Sequence, residues 1–525
     1  MIKLATLFQS GMLLQRGKAV RIWGESDCAE NIEVRINDEK IAVFSVPKGK
    51  FSLLLPAQSA RENVRLQVGN VVLERVDFGE VWIAGGQSNM QFYVKWDADR
   101  EEIFALPSDE HIRYYEVSKY TFEGEEKDGF KDASHWDKWF SFNRETCPYF
   151  SAAATWFALA LRRELGVPVG IVSCNLGATS ASAWMDENLL RADEELKVYV
   201  DAYEASVQGL DMARYEEVNR FVRAFSAGSA EAAEDYMHRE TGVTPQQFNE
   251  FLAKNSVSQE NVSPFGDFSV EELTRPGPHE PHPGSLYRVM LKKIIGFTCR
   301  GVIWYQGCQD ECRAPLYQKL FTALIGCWRR DWGEELPFVY AQLAPFGSWW
   351  GNRGTNFPTI RAAQAAVEKS APKAYMVSTS DVGCENDIHP KHKKKVGERM
   401  ALRALEKVYG KDLLSDAPRF ISGRKEKNAL ILQFEHAQHL HIEGTTLSAL
   451  CVSADGAAVE KFTASAEDNR LVIRAEQFAA AGRIEVRFAC TPYYKVNLYN
   501  EIDLPAVPFA WIWEDRNDNS NNQNQ

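Results

Sequence analysis

The chain has 525 residues, of which 45% are hydrophobic and 25% charged, and its formal net charge is −12. A chain of this length exceeds what one hydrophobic core can organise, so we expect two to four domains. The negative charge argues against nucleic acid and against anionic membrane surfaces as partners. No stretch is apolar enough to span a membrane, so we expect no membrane partner.

The ten cysteines lie without the spacing of a disulfide framework. In a chain of this size they are typical of reduced thiols. Residues 1–6 contain no apolar signal-peptide core. We therefore expect a cytoplasmic protein; the alternative is a secreted protein whose leader has been removed.

The sequence contains two groups of histidines, and neither has the neighbouring residues that a metal site needs. His279 and His282 lie in a proline-rich turn, whereas His436, His439 and His441 lie in a strand-like region without nearby cysteines or a carboxylate pattern. Solvated surface positions explain both groups, so we expect no metal and no other cofactor.

The N-terminal residues 1–76 alternate short apolar runs with turn residues, which predicts a small antiparallel β domain. From residue 77 onward, buried-type strands alternate with helical patterns, which predicts an α/β domain with a mostly parallel sheet. Its first predicted strand covers residues 81–84. Gly85 and Gly86 then permit a tight turn, and Ser88 follows where regular structure resumes.

The following stretch is irregular until a helical spacing over residues 152–165, which Gly166 ends. Four further strands are predicted, and a helix follows Pro390 and ends at Gly410. The strands cover residues 169–173, 301–307, 336–343 and 374–379. Residues 77–185 and 285–410 therefore form the two parts of the α/β domain.

Residues 186–284 separate these two parts and contain helical patterns without strands. Helices are predicted at 194–207, 211–225, 230–238 and 245–253, and a proline-rich connection closes the segment. We interpret it as a helical insertion and a candidate lid. Residues 411–516 return to short alternating strands, which predicts a second β domain, and the asparagine-rich residues 517–525 predict a disordered tail.

Ser88, Gly177 and Gln306 each follow the carboxyl end of a predicted strand, and His389 follows another. Ligands bind at this edge of an open α/β sheet. Ester hydrolysis by serine requires a base for the hydroxyl proton and donors for the oxyanion. We predict Ser88 as nucleophile and His389 as base, with the oxyanion hole formed by the Ser88 and Gly177 N–H groups and the Gln306 amide. Alone, the glycine–serine stretch equally fits an ordinary strand-to-helix turn with Ser88 or Asn89 as helix N-cap.

Four blocks in this order resemble a known family. They are Gly-Gln-Ser-Asn-Met at residues 86–90, Gly-Ala-Thr at 177–179 with Trp184, Trp-Tyr-Gln-Gly at 304–307, and Asn-Asp-Ile-His-Pro at 386–390. Together they resemble the sialate O-acetylesterase family of the SGNH hydrolases, which is related to carbohydrate acetylesterases active on xylan. The resemblance covers roughly residues 4–410.

The resemblance implies an α/β, SGNH-hydrolase-like parallel sheet with helices on both faces, flanked by N- and C-terminal β domains and interrupted by the helical insertion. It implies a serine esterase that removes O-acetyl groups from carbohydrate, foremost O-acetylated sialic acid, through an acetyl-enzyme intermediate. A deacetylase of xylan or another glycan is the alternative enzyme. A non-catalytic glycan-binding protein that retains the fold is the alternative outside enzymes.

The resemblance also implies roles for individual residues. Ser88 is the implied nucleophile and His389 the implied base and acid. The SGNH pattern has an aspartate three residues before the histidine, where this chain has Asn386. We predict that Asp387 orients His389. Asp381 and a backbone carbonyl are the alternatives, and helix N-capping is the structural alternative for Asp387.

We expect Gln87, Asn89 and Trp184 to contact the substrate. Trp349 and Trp350 are further candidates for stacking on a sugar ring, with a core role as the alternative for each tryptophan.

One departure from the family pattern lies beside the predicted site. The family commonly has Gln-Gly-Glu-Ser-Asn where residues 306–310 of this chain are Gln-Gly-Cys-Gln-Asp. Cys308 therefore replaces a glutamate and removes a charge. We predict that this change alters substrate positioning and does not abolish hydrolysis.

Overall fold

The computed structural model describes residues 1–127, 133–255, 269, 272 and 275–515. The strands are β1 Ile2–Leu4, β2 Leu13–Gln15, β3 Val20–Ser26, β4 Glu30–Ile36, β5 Glu39–Val46, β6 Gly49–Leu55, β7 Arg61–Val68, β8 Val71–Gly86, β9 Asp109–Glu116, β10 Trp139–Phe142, β11 Val169–Asn175, β12 Gly301–Tyr305, β13 Phe338–Ala341, β14 Ala374–Val377, β15 Arg419–Glu426, β16 Ala429–Glu435, β17 His441–Ile442, β18 Leu450–Ala454, β19 Ala457–Ala458, β20 Thr463–Glu467, β21 Arg470–Arg474, β22 Arg483–Phe488, β23 Leu498–Tyr499 and β24 Phe509–Glu514.

The α-helices of the described residues are α1 Ser88–Gln91, α2 Arg100–Phe104, α3 Ala152–Leu165, α4 Glu187–Ala192, α5 Lys197–Val207, α6 Met212–Arg239, α7 Pro245–Asn255, α8 Ser285–Val289, α9 Tyr317–Trp332, α10 Phe357–Ser370 and α11 Lys393–Lys407. Short 3-10 helices include Ala181–Trp184 and Cys308–Leu316.

The central sheet has the strand order β10-β9-β11-β8-β12-β13-β14. All neighbours in it are parallel except β10, which pairs antiparallel with β9 at the edge. From β8 the chain builds β9 and β11 on one side and then returns to build β12 on the other. The carboxyl end of β8 therefore lies at a topological switch point, where open α/β sheets bind their ligands.

Strand β8 is 16 residues long and connects the N-terminal strands to the central sheet. Its first half pairs antiparallel with β7, whereas its second half is buried throughout and pairs with β11 and β12. Continuous burial is typical of a strand covered on both faces. The boundary predicted between residues 76 and 77 falls inside this strand, and one hydrophobic core spans both sides of it.

Several predicted elements are confirmed. Helix α3 covers the predicted residues, with the Ser151 hydroxyl capping its start and Gly166 in the left-handed conformation at its end, φ 63°. Strands β11 to β14 lie within or close to their predicted ranges. The mostly parallel arrangement of the central sheet is also as predicted.

Other predictions need correction. The stretch predicted to be irregular contains β9 and β10. Strand β9 carries charged residues at both ends and within it, and the buried Arg113 lies 3.4 Å from the Asp77 carboxylate, which offsets its charge. The two helices predicted at 211–225 and 230–238 are one helix, α6, because the intervening Ser-Ala-Gly-Ser contains no proline. The helix predicted after Pro390 begins three residues later, at Lys393.

The C-terminal strands form two four-stranded sheets, β15-β16-β21-β20 and β19-β18-β22-β24, around a separate hydrophobic core. This β region contacts the central domain through Arg361, whose guanidinium donates to the carbonyls of Thr491 and Pro492. The predicted tail, residues 517–525, lies outside the described residues. Within the described ranges, no helix combines the length and the apolar character needed to cross a membrane.

Two helical glycines allow a matched test of the packing of α11 on α3. A Cβ at Gly397 would overlap the Ala153 carbonyl oxygen and lie 2.5 Å from Trp156 Cβ, whereas a Cβ at Gly326 in α9 would meet nothing within 4 Å. We expect Gly397→Ala to lower the free energy of unfolding by about 2 kcal/mol, because overpacking outweighs helix propensity. Gly326→Ala should instead add up to about 1 kcal/mol. Thermal unfolding midpoints check this pair, and equal shifts would contradict the packing described.

Candidate active site

The nucleophile candidate Ser88 is placed by two glycines at the end of β8. Gly86 has φ 134°, and a Cβ on it would overlap the Tyr305 carbonyl oxygen of β12. A Cβ on Gly85 would lie 2.7 Å from the Trp304 ring. Only glycine permits this close approach of the two strands. The turn ends in α1, whose first residue is Ser88.

Ser88 and His389 lie within hydrogen-bond distance, as predicted from their positions after two different strands. His389 Nε2 lies 2.9 Å from Ser88 Oγ. His389 is in the loop between β14 and α11, which is tied to α1 because Asn89 Nδ2 donates to the Ile388 carbonyl at 3.1 Å. The imidazole is buried, with 7% exposure, while Ser88 is half-buried. This is the geometry of a nucleophile beside its base.

Asp387 lies on the far side of His389 from Ser88. Its Oδ1 accepts a hydrogen bond from the His389 backbone N–H at 2.8 Å and lies 3.6 Å from Nδ1. Nδ1 is buried and has no hydrogen-bond partner among the described residues. Lys391 Nζ lies 2.9 Å from the other carboxylate oxygen. Asp387 therefore presents its carboxylate to the imidazole. At 3.6 Å, however, Oδ1 and Nδ1 are too far apart for a hydrogen bond between the two side chains.

The geometry argues against two alternatives, namely Asp381 as the partner of His389 and Asp387 as a helix N-cap. The Asp381 carboxylate is engaged by both guanidinium nitrogens of Arg399, at 2.6 and 2.8 Å, and by Lys395 Nζ at 2.9 Å. The Asp381 carboxylate therefore pairs with Arg399 and Lys395 and not with His389. Helix α11 has His392 at its N-cap position, so Asp387 does not cap that helix.

Burial and nearby positive charge keep the candidate base neutral. Burial, followed by His238, Lys393 and Lys391, holds the pKa of His389 well below its usual value of 6.5. Lys393 is itself buried, which lowers its pKa to about 7, and its Nζ donates to Asn89 Oδ1 at 2.6 Å. A neutral imidazole can accept the proton of the Ser88 hydroxyl.

Two backbone N–H groups, those of Gly177 and of Ser88 itself, are the remaining candidates for an oxyanion hole. Gly177 packs against Ser88, since a Cβ on it would lie 3.4 Å from Ser88 Cβ. Its N–H donates to Gln91 Oε1 at 2.7 Å. The Ser88 N–H belongs to the first residue of α1 and has no acceptor within its own helix.

The prediction that the Gln306 amide belongs to the oxyanion hole needs correction. Its Nε2 donates to the Thr179 carbonyl at 3.1 Å and to Asp310 Oδ2 at 2.6 Å, which uses both hydrogens. Asp310 also accepts from the Ala181 N–H at 2.9 Å and the Ser180 hydroxyl at 2.6 Å. Gln306 and Asp310 thus join the loops after β11 and β12.

The prediction that Gln87, Asn89 and Trp184 contact the substrate also needs correction, because all three are buried. Gln87 Oε1 accepts from the Gly307 N–H at 3.1 Å, so it fixes a loop. Asn89 is held between Ile388 and Lys393, as described above. Trp184 has 0% exposure, and its indole donates to Thr179 Oγ1 at 3.0 Å, so no ring face is available to a sugar.

Cys308, where the family pattern has glutamate, is half-buried beside this network. Burial raises the pKa of its thiol to about 12. The position therefore carries no charge at neutral pH. Among the described residues, no group of three or more histidine, cysteine or acidic side chains could hold a metal ion.

Sequence reasoning missed His238, which the helical insertion brings to the site. Its ring stacks on Trp96 with centroids 4.3 Å apart and meets the His389 ring edge to face at 4.9 Å. Asp235, one turn earlier in α6, accepts from the Trp96 indole at 2.7 Å and pairs with Lys95 at 2.9 Å. The sequence signal was the polar spacing of Asp235 and His238 on one helix face, which has many explanations.

The turn between α6 and α7 also contacts the loop between β14 and α11, which carries Asp387 and His389 and is called the catalytic loop below. The Gly242 N–H donates to Asp387 Oδ2 at 3.3 Å. The Val243 carbonyl accepts from both the Trp349 and the Trp350 indoles, at 2.9 and 2.7 Å. The Trp349 ring lies 5.5 Å from His389. The insertion therefore forms one wall of the site.

Comparisons with known proteins agree with this picture. A family model described as carbohydrate esterase, sialic acid-specific acetylesterase, matches residues 271–406. Curated relatives named sialate O-acetylesterase, from Mus musculus and Homo sapiens, are 26% and 25% identical over 392 and 395 residues, which are 70% and 71% of this chain. The chain spans 63% and 61% of the length of these two relatives.

A solved structure extends the comparison to the fold. A carbohydrate acetylesterase from Xanthomonas citri superposes with a TM-score of 0.71 and 24% identity, covering 97% of this chain and 99% of its own. That protein and this chain share a fold. The matches confirm the resemblance that the sequence blocks predicted, which is to the sialate O-acetylesterase family of carbohydrate esterases.

Proposed function

We propose that this protein is a serine esterase that removes O-acetyl groups from carbohydrate. The observation that carries the proposal is the 2.9 Å distance between Ser88 Oγ and His389 Nε2 at the carboxyl end of the central strand. The neutral state of the buried His389 and its position beside the half-buried Ser88 support a role in acyl transfer. We assign the fold to the SGNH-hydrolase type on the same grounds, since the nucleophile, glycine and histidine blocks follow strands β8, β11 and β14 of one parallel sheet.

In the first half of the reaction, Ser88 Oγ attacks the acetyl carbon while its proton passes to His389 Nε2. The oxyanion of the tetrahedral intermediate accepts from the Ser88 N–H and from the Gly177 N–H, which Gln91 releases on substrate entry. Each such donor stabilises the transition state by about 3 kcal/mol. The bond between the acetyl carbon and the sugar oxygen then breaks, and His389 gives its proton to the departing sugar oxygen, which leaves as a hydroxyl.

In the second half, water replaces the sugar. It attacks the acetyl carbon of the acetyl-enzyme and transfers a proton to His389 Nε2. The bond to Ser88 Oγ breaks, Oγ recovers the proton from His389, and acetic acid leaves. Asp387 carries the negative charge that stabilises the imidazolium in both halves, once the 3.6 Å gap between Oδ1 and Nδ1 closes. No step requires a metal or an organic cofactor.

O-acetylated sialic acid is the proposed substrate because the segment 271–406 matches a sialic acid-specific acetylesterase model. Acetylated xylan or another acetylated glycan requires the same nucleophile and base and is the second candidate. Cys308 changes how the sugar is held beside the site and leaves Ser88 and His389 in place. The intact pair disfavours a glycan-binding protein without catalysis.

Replacement of the nucleophile tests the proposal. Ser88→Ala should lower the turnover of p-nitrophenyl acetate by at least about 1000-fold, because no other group forms the acetyl-enzyme. Release of p-nitrophenol and of acetate from O-acetylated sialic acid measures the effect. Equal rates for wild type and Ser88→Ala would contradict the mechanism.

The two aspartates provide a matched pair for the partner of His389. Asp387→Asn should reduce kcat for p-nitrophenyl acetate by about 100-fold or more, since the imidazolium loses its carboxylate. Asp381→Asn should leave kcat per folded molecule within about threefold of wild type, because Asp381 contacts Arg399 and not the imidazole. Circular dichroism establishes the folded fraction. The reverse ranking would assign the role to Asp381.

The lowered pKa of His389 predicts the pH dependence of the esterase. The neutral base is present above the pKa of His389 and is lost as the pH falls through that pKa. The kcat/KM should therefore stay level down to pH 6.5 and decline only at lower pH. Lys393→Met removes a cation that lowers this pKa, so the acidic limb should move upward by about one pH unit. Lys394→Met is the control, because Lys394 pairs with Glu102 instead. An unchanged limb in Lys393→Met would contradict this electrostatic account.

A further inference from the structure

A pocket of about 370 Å³ opens beside the candidate active site and has no role in the acyl-transfer steps described above. It is lined by the turn at residues 242–245, by residues 348–353 and by Asn386. Pockets that hold small molecules begin at about 300 Å³, so one sugar residue fits this space.

The two walls of the pocket come from distant parts of the chain and are held together by hydrogen bonds. On one side, the turn at residues 242–245 is fixed by the two indoles that donate to Val243. A Cβ at Gly242 would overlap the Asn386 amide, so the turn packs directly on the catalytic loop. On the other side, Trp349 and Asn352 exchange two backbone hydrogen bonds of 2.9 Å, which close a tight turn. The insertion and the loop after β13 therefore form the pocket together.

The pocket lies next to the reacting groups. Trp349, one of its lining residues, has its ring 5.5 Å from the ring of His389. Asn386, another, precedes Asp387 in the chain. Trp349 therefore borders both His389 and the pocket.

The charge of the pocket is its most informative property. None of the lining residues is acidic, and Arg353 is the one charged residue among them. Within the described part of the chain, Arg353 is exposed and forms no ion pair, although the protein as a whole has a net charge of −12. The Trp350 ring, with 38% exposure, offers an apolar surface beside it. An indole face, amide side chains and one unpaired guanidinium are suited to a sugar that carries a carboxylate.

We propose that this pocket is a subsite for a carboxylate-bearing sugar residue, in which Arg353 binds the carboxylate and the tryptophan pair at residues 349–350 contacts the ring. The inference rests on the proposed esterase function and deepens it, since it selects an acidic sugar such as sialic acid over a neutral xylan chain. Arg353 determines specificity and takes no part in the acyl-transfer steps.

The test compares three substrates that share the acetyl ester and differ around it. They are an O-acetylated sialic acid, the same compound with its carboxyl group converted to a methyl ester, and p-nitrophenyl acetate. Acetate release is measured for the two sugars and p-nitrophenol release for the third. Wild type should prefer the free acid over its methyl ester by about tenfold in kcat/KM, which is the lower range for a charged hydrogen bond.

Arg353→Gln should lower kcat/KM for the free acid by about tenfold, through a higher KM, and should leave the methyl ester and p-nitrophenyl acetate within about twofold of wild type. Arg353→Lys keeps the charge and should recover part of the loss. Arg424→Gln, on exposed strand β15, is the control and should change none of the three rates.

The outcomes separate the two levels of the proposal. An unchanged KM for the free acid in Arg353→Gln would overturn the subsite. Serine-dependent hydrolysis of p-nitrophenyl acetate without preference for the free acid over its methyl ester would also overturn it and leave the esterase standing. Absence of turnover with all three substrates would instead contradict the proposed function.

Discussion

The close approach of strands β8 and β12 is the constraint on which the site depends. The two strands meet at Gly85 and Gly86, where a side chain of any size would overlap Tyr305 or the Trp304 ring. This approach brings the end of β8 to the centre of the sheet, and α1 then starts with its first N–H groups and Ser88 facing the edge where the loops after β11, β12 and β14 meet. A substituent on either glycine would displace the nucleophile from the base and from Gly177 together.

Buried polar side chains hold these loops in register. Asp310 and Gln306 join the loops after β11 and β12, and Gln87 fixes the second of them. Asn89 links the nucleophile helix to Lys393 and to the loop that carries His389. Such groups are costly to bury unless they are fully bonded, so the network favours one arrangement of the loops over others. Gln87 and Asn89, which were predicted to contact the substrate, therefore support the loops instead.

Much of the site could be predicted from the sequence because it lies on strand ends, which apolar runs followed by glycine or polar residues mark clearly. The positions of Ser88, Gly177 and His389 follow from that pattern, and the parallel order of the strands brings them together. The roles of Gln306 and Trp184 could not be predicted, because the pattern does not show whether a side chain points into the cleft or into the protein. Strand β9 was missed because it carries charged residues, and the sequence does not show that an ion pair with Asp77 offsets the burial of Arg113.

The contribution of the insertion was beyond the sequence for a different reason. His238 and Val243 reach the site only because α6 packs across Trp96 and the following turn docks on the catalytic loop. These are contacts between residues more than a hundred positions apart, and no local periodicity reports them. The insertion thereby converts an open strand edge into a walled site next to His389.

The most direct test of the central claim is to trap the acetyl-enzyme. The protein is mixed with p-nitrophenyl acetate, quenched during the first turnover and digested, and the acetylated peptide is sequenced by mass spectrometry beside the same sample of Ser88→Ala. The account predicts a burst of p-nitrophenol and an acetyl group on Ser88 that is absent from the variant. A turnover-competent enzyme with no acetyl group on Ser88, or with the same acetylated residue in both proteins, would contradict it.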